Sequence, residues 1–194
     1  MRAPAVRSTT QADEARAVNT IVLAFAADPV ARWSWPEAHQ YLSYMPDLTR
    51  AFGGRAFLHG CAHCTEDYAG AALWLPPGVH PDEEGLAAII ERSVSEDRRA
   101  DLFAVFEQMA KYHPDEPHWY LPLIGVDPAH QGRGCGAALL AHALAECDRA
   151  KVPAYLESTN PRNIPLYRRH GFVDLGTIQV GSSPPLVPMV RRSR

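Results

Sequence analysis

The segment Gln131-Gly132-Arg133-Gly134-Cys135-Gly136 has the residue types and spacing to bind an anion. Three glycines at alternate positions let the backbone turn tightly and present its N–H groups outward, and a following helix adds the positive end of its dipole. The chemistry implied is a pyrophosphate cradle, with a plain flexible turn as the bland alternative. A P-loop does not fit, because Ala137-Ala138 stand where its Lys and its Ser or Thr would follow the last glycine. The dinucleotide fingerprint is a nearer rival: Gly132, Gly134 and Ala137 satisfy its loose form, and Glu157 falls about 20 residues further on. Its fold needs several strand–helix units after the loop, and the remaining chain holds one long helix, so this reading ranks low. Cys61-Ala62-His63-Cys64, with His59 nearby, invites a zinc site. A structural zinc wants four ligands and no second Cys or His pair follows, so no metal is expected and these positions read as small apolar or surface residues.

The elements that must position the glycine loop follow from periodicity. Trp119 to Val126 is a nearly continuous apolar run of the kind buried in a sheet centre, and Asp127-Pro128 stops it. After the loop, Ala137 to Ala150 reads as a helix, Ala154 to Glu157 as a strand, Ile164 to Arg169 as a short helix and Phe172 to Val180 as a strand. Leu186 to Arg191 contains Pro188 and is at best an edge strand, and Arg191, Arg192 and Arg194 read as a solvated basic tail. Upstream, Ala5 to Ser8 alternates like a strand, and Thr10 with Asp13 offers a capping box before a helix carrying Ala15, Val18, Ile21, Val22 and Phe25. Asp28 to Tyr44, broken by Pro29 and Pro36, reads as helical turns and a pocket-lining loop. Gly53-Gly54 marks a turn before a hairpin of Ala56–Ala62 and Tyr68–Leu75, and two helices span Leu86–Val94 and Leu102–Tyr112.

The 194 residues suit a single α/β domain covering 1–194. A hydrophobic share of 46% with 21% charged residues is that of a globular chain with a buried core. Nineteen Lys and Arg against 22 Asp and Glu leave a formal charge of -3, which argues against nucleic acid as a partner. The apolar stretch Ile21–Ala27 is far short of the roughly 20 residues that span a bilayer, and no signal-like segment opens the chain. A cytoplasmic protein without a membrane partner is expected, with its four cysteines as free thiols.

The series of strand, Gln131-x-x-Gly134-x-Gly136, helix, strand, Asn160 and Asn163, Leu166-Tyr167 and Gly171-Phe172 resembles the GNAT superfamily of N-acetyltransferases. The likeness is strong over residues 119–175 and looser upstream. The runs Glu116–Val126 and Asn163–Phe172 look like the puromycin N-acetyltransferase branch. The resemblance implies a mixed, mostly antiparallel twisted sheet flanked by helices, with a central strand pair that splays near Val126. It implies acetyl-CoA as co-substrate, its pyrophosphate on Gln131, Gly132, Arg133, Gly134, Cys135 and Gly136, and its pantetheine arm along Ile124, Gly125 and Val126. Under this arrangement the coenzyme covers Cys135, so a covalent cysteine intermediate is not expected. Asn160 and Asn163 are implied as helix caps or coenzyme contacts, and Tyr167 as the acid that protonates the departing thiolate.

An amine arrives as an ammonium ion and needs a base or a water chain before it can attack. Glu157 and His118 are the candidates for that base, with Tyr120 two residues beyond His118 on the same strand face. Trp33, Trp35 and Trp74, with Tyr41 and Tyr44, are candidates for an aromatic wall on the substrate side, and Tyr120 for a substrate contact; core packing is the equal alternative. The partner implied is a small-molecule amine, aminoacyl-like or antibiotic, with protein amino termini and polyamines still open and a homodimer compatible. The competing reading from another class is a non-catalytic acyl-CoA-binding sensor.

Overall fold

In the computed structural model, which describes residues 4–194, β1 (Val6–Ser8) leads through a 3-10 turn into α1 (Glu14–Ala24). The Thr10 N–H donates to the Asp13 carboxylate at 2.9 Å, so the capping pair sits on this turn, just ahead of the helix. The apolar stripe Ala17, Val18, Ile21 and Val22 is buried. Asp28 then caps α2 (Pro29–Ser34) through the Val30 and Ala31 N–H groups, and Pro29 takes the first helical position, where no N–H is needed.

α3 (Ala38–Gly53) and α4 (Arg55–Leu58) correct the expected turn and strand at Gly53–Ala62. Gly54 keeps ordinary helical angles, and Gly53 is needed for closeness rather than for turning: a Cβ there would stand 2.9 Å from Leu73 Cδ1. The strand therefore starts only at β2 (Ala62–Thr65), which pairs antiparallel with β3 (Gly70–Leu75). α5 (Glu83–Ser93) and α6 (Glu96–Tyr112) follow as predicted, with α6 starting earlier than its apolar spacing suggests.

β4 (Trp119–Val126), α7 (Cys135–Ala150), β5 (Ala154–Ser158) and α8 (Ile164–Arg169) lie where the sequence puts them. The expected strand Phe172–Val180 shrinks to β6 (Val173–Asp174) and one isolated bridge between Ile178 and Leu186. The sheet order is β1-β2-β3-β4-β5-β7-β6, all antiparallel except β4 with β5. Thus β7 (Val187–Arg191) is an inner strand and not the edge. Pro188 is tolerated because its carbonyl accepts from the Leu175 N–H on the β6 side. The N and C=O of one strand residue point the same way, so the missing donor faces away from β5. Arg191 is likewise no solvated tail: it is 4% exposed and donates two bonds of 2.8 Å to Asp148.

Two layers cover the sheet. One face holds Ala71, Leu73, Leu75, Tyr120, Leu123 and Tyr155 against α1, α3 and α5; the other holds Ala72, Trp74, Leu121, Ala154 and Leu156 against α7 and α8. The alternation along β3 is the two-residue period of a strand buried on both faces. Leu139, Leu140 and Leu144 anchor α7, each contributing about 2 kcal/mol by leaving water. Among the described residues no helix is long and apolar enough to cross a membrane.

Candidate active site

The site grows from an irregularity in β4. Its register with β3 slips between Leu73 and Leu75, opposite Pro122, which has no N–H for the ladder. On the other side β4 meets β5 only at Trp119–Ala154 and Tyr120–Tyr155, so from Leu121 onward the parallel strands part. Backbone groups of β4 therefore face a gap instead of a neighbouring strand, an arrangement open to pairing with an extended ligand. Ile124 lines the chamber in that gap, and Gly125 and Val126 continue the edge.

The glycine loop closes the far end of β4. Gln131 Nε2 donates to the Val126 carbonyl at 3.2 Å, tying the loop to the strand. Gly132 and Gly134 have φ of 76° and 86°, left-handed values that favour glycine, and a Cβ on Gly132 would meet nothing within 4 Å, so the loop is open on its outer side. The first ladder bond of α7 runs from Ala138 N–H to Gly134 O, which leaves the N–H groups from Gly134 to Ala137 without a helical acceptor. These donors, the helix dipole and the exposed Arg133, which makes no ion pair among the described residues, fit a pyrophosphate. Cys135 points inward and is buried, and burial pushes its thiol up, away from nucleophile character.

A chamber of about 100 Å³ passes through the sheet where the strands part. Glu157 reaches it from the α1–α3 layer and Tyr167 from the α7 layer, with Asn163, Thr159 and Asp28 beside them. The Glu157 side chain is only 3% exposed; burial raises its carboxyl to about 7, held back by the hydroxyls of Tyr155 and Tyr120. The Tyr120 hydroxyl donates to Glu157 Oε2 at 2.9 Å. Burial also pushes the Tyr167 phenol well above its ordinary value, with the Asp28 carboxylate adding to this, so it carries its proton at neutral pH. The remaining walls are apolar and include Phe25, Val30, Trp35, Leu102, Phe106 and Leu186.

Other predicted residues are placed differently. His118 lies outside the chamber, on a wider cavity of about 760 Å³ that shares Phe52, Phe106 and Met109 with it and is also lined by Tyr120. Asn160 accepts from the Arg162 N–H at 3.1 Å and so caps the turn before α8. Trp35 lines the chamber while bonding Ser93 Oγ through Nε1 at 3.0 Å. Trp33 bonds Ser182 at the periphery and does not line it. Trp74 is a correction to the aromatic wall: it does not line the chamber and is fully buried on the α7 face, because alternation along β3 turns it away from the α1–α3 layer. Tyr41 is buried with its hydroxyl bonded to the Val22 carbonyl, and Tyr44 stacks on Trp35. His63 is buried in the sheet against His142 and Ser8, and among the described residues no group of three or more His, Cys, Asp or Glu gathers as metal ligands.

Asp28, its partner Thr159 and His113 were not read from the sequence as site residues. Asp28 carries a legible signal, an acid before Pro29, but that signal announces a cap and not a buried carboxylate whose Oδ2 accepts from Thr159 Oγ1 at 2.6 Å. His113 sits in the proline-bounded break after α6, and nothing local marks its approach to Glu157.

A mixed sheet split at its one parallel pair, with a glycine-loop helix at the open end and a buried carboxyl and phenol in the split, is the arrangement of an acetyltransferase. Residues 27–172 match the Acetyltransferase (GNAT) family, and the chain belongs to that family. An uncharacterized N-acetyltransferase of Schizosaccharomyces pombe is 27% identical over 192 residues, covering 91% of this chain and 77% of its own length. A crystal structure from Corynebacterium glutamicum, described as histone acetyltransferase HPA2 and related acetyltransferase, superposes with a TM-score of 0.72 at 26% identity, covering 100% of this chain and 98% of that one. A polyamine N-acetyltransferase of Drosophila melanogaster shares the fold, with a TM-score of 0.64 at 14% identity over 97% of this chain and 99% of its own. The family uses acetyl-CoA as co-substrate.

Proposed function

We propose that the chain transfers the acetyl group of acetyl-CoA to a primary amine by direct attack within a ternary complex. The observation that carries this reading is the single chamber that Glu157 enters from one layer and Tyr167 from the other. The coenzyme supplies an activated acetyl thioester. Gly134 to Ala137 N–H groups and Arg133 hold its phosphates, and the free edge of β4 from Ile124 to Val126 aligns its arm. Glu157 accepts the ammonium proton, which frees the nitrogen lone pair for attack on the acetyl carbon. A β4 N–H in the gap stabilises the negative charge that develops on the thioester oxygen, Tyr167 protonates the sulfur as the C–S bond breaks, and the adduct nitrogen gives its surplus proton back to the phenolate. A carboxyl held near neutrality by burial is matched to this task.

The largely apolar walls of the chamber support an acceptor amine carried on an apolar body, because such walls gain by leaving water with it. The likeness of Glu116–Val126 and Asn163–Phe172 to the puromycin branch supports the same class, a small aminoacyl-like or antibiotic amine. Two measurements test the proposal: calorimetric titration of acetyl-CoA into the wild type and Gly134→Glu, then free-thiol release across an amine panel. Binding that the variant loses, followed by amine-dependent thiol release, is expected. No binding by the wild type, or binding without thiol release for any amine, refutes it.

A further inference from the structure

Glu157 needs a way to lose the proton it takes, and its two oxygens are treated differently. Oε2 accepts from Tyr120, whereas Oε1 is buried without a hydrogen-bond partner among the described residues. His113 Nε2 lies 3.5 Å from Oε1, and the Tyr155 hydroxyl, also without a geometric hydrogen-bond partner among the described residues, stands by the same carboxyl. His113 Nδ1 lies 3.0 Å from His118 Nε2, and His118 Nδ1 lies 2.9 Å from the Glu116 carbonyl.

The tautomers follow from the end of this chain. A carbonyl only accepts, so His118 Nδ1 carries the hydrogen. In neutral His118 the Nε2 is then bare and receives the His113 Nδ1–H, which leaves His113 Nε2 bare and facing Oε1. Burial, with His118 and His80 adding to it, lowers His113 to about 4, so its neutral form is the resting one. Two bare acceptors facing one another are unsatisfied while Glu157 is ionised, and become a hydrogen bond once Glu157 carries a proton.

We propose that His113 and His118 form a proton-exit relay that carries the amine's proton from Glu157 to the outer cavity. This rests on Glu157 acting as the base. The proton on Oε1 passes to His113 Nε2, the Nδ1 proton of His113 passes to His118 Nε2, and His118 releases its Nδ1 proton to water. Each ring returns to its first tautomer by giving its Nε2 proton to water of the outer cavity, which both rings line, and taking an Nδ1 proton from that water, so one proton leaves the amine and one enters solvent. His118 forms part of the wall of the outer cavity with His80, Glu107, Asp115 and Glu116, and the Tyr120 and Tyr155 rings lie 4.6 and 4.3 Å from His113. This path leaves on the side away from α7, so proton exit does not cross the coenzyme loop.

Two experiments test the relay. Histidine ¹⁵N chemical shifts of the resting protein are expected to show Nδ1–H for both His113 and His118; an Nε2–H form of either ring overturns the relay without any turnover assay. His113→Phe keeps the ring packing and is expected to lower kcat at least about tenfold with KM values within about twofold, to raise the solvent deuterium isotope effect, and to make the rate depend on buffer concentration. His118→Ala is expected to regain activity with added imidazole. Wild-type kcat in both variants, or a loss insensitive to isotope, buffer and imidazole, overturns the relay and leaves a packing role. His113→Asn replaces the Phe variant if that one fails to fold. Full activity in Glu157→Gln removes the base and the relay together, whereas relay failure with an inactive Glu157→Gln leaves the base in place.

Discussion

Tyr120→Phe isolates a single hydrogen bond to the buried carboxyl. The hydroxyl donates to Glu157 Oε2 at 2.9 Å and so favours the ionised form, while burial holds Glu157 at about 7. A hydrogen bond to a charged group is worth about 1.5 to 3 kcal/mol, and about 1.4 kcal/mol corresponds to one pH unit. Because the Glu157 environment relaxes in part, the acidic limb of kcat/KM is expected to move up by about one pH unit. At pH 7 the ionised share then falls from about one half to about one tenth, a loss of about fivefold that vanishes by about pH 9. The phenyl ring keeps its packing against Phe52 and His113, at centroid distances of 6.0 and 4.6 Å. Initial rates of thiol release measured against pH, with the same acceptor for both proteins, cancel the amine's own titration from the difference. A limb that stays in place, or a drop that is equal at every pH, refutes the assignment of Glu157 as base. The sign for stability runs the other way from the sign for rate. The folded value of about 7 lies above the 4.5 of the free side chain, so this residue's contribution to stability is present below about pH 4.5 and is lost as pH rises through 7.

Tyr167→Phe is expected to lower kcat by about 100-fold with acetyl-CoA affinity, measured by calorimetry, within about twofold; unchanged turnover removes Tyr167 as the acid. Arg191→Ala removes the bidentate donor of the Asp148 carboxylate, which keeps only the Arg194 N–H, and the donor of the His170 carbonyl, and is expected to cost about 2 kcal/mol, read as a fall of several degrees in Tm; a shift within error would show the bidentate pair to be dispensable. His63 is lowered to about 4 by burial and by His142, so the unfolded chain binds its proton first and stability is lost as pH falls from 6.5 to 4. His63→Gln is expected to flatten that loss by about 3 kcal/mol in denaturant titrations across the window, and equal slopes would refute it.

The glycine loop, β4, α7, β5 and α8 were legible because each is punctuated locally: Asp127-Pro128 ends the strand, the glycines open the helix, and the apolar spacing of α7 repeats at its own period. Gly53-Gly54 misled because glycine serves close packing as well as turning, and only the neighbour Leu73 tells which. Pro188 misled because proline is barred from one side of a strand and not the other, and the side depends on where the Leu175 N–H lies.

From sequence alone, turn geometry and periodicity, which are properties of neighbours along the chain, determined most of the order of elements, and the class of chemistry came from the family resemblance carried by the glycine loop, Asn160, Asn163 and Leu166-Tyr167. Which tryptophan faces the chamber, the insertion of β7 beside β5, and the approach of His113 to a carboxyl held at about 7 were decided only by tertiary structure. Burial sets the charge state of a group and the availability of its partners, and burial is determined by segments distant in sequence: Tyr120 and Glu157 lie 37 positions apart and share one hydrogen bond.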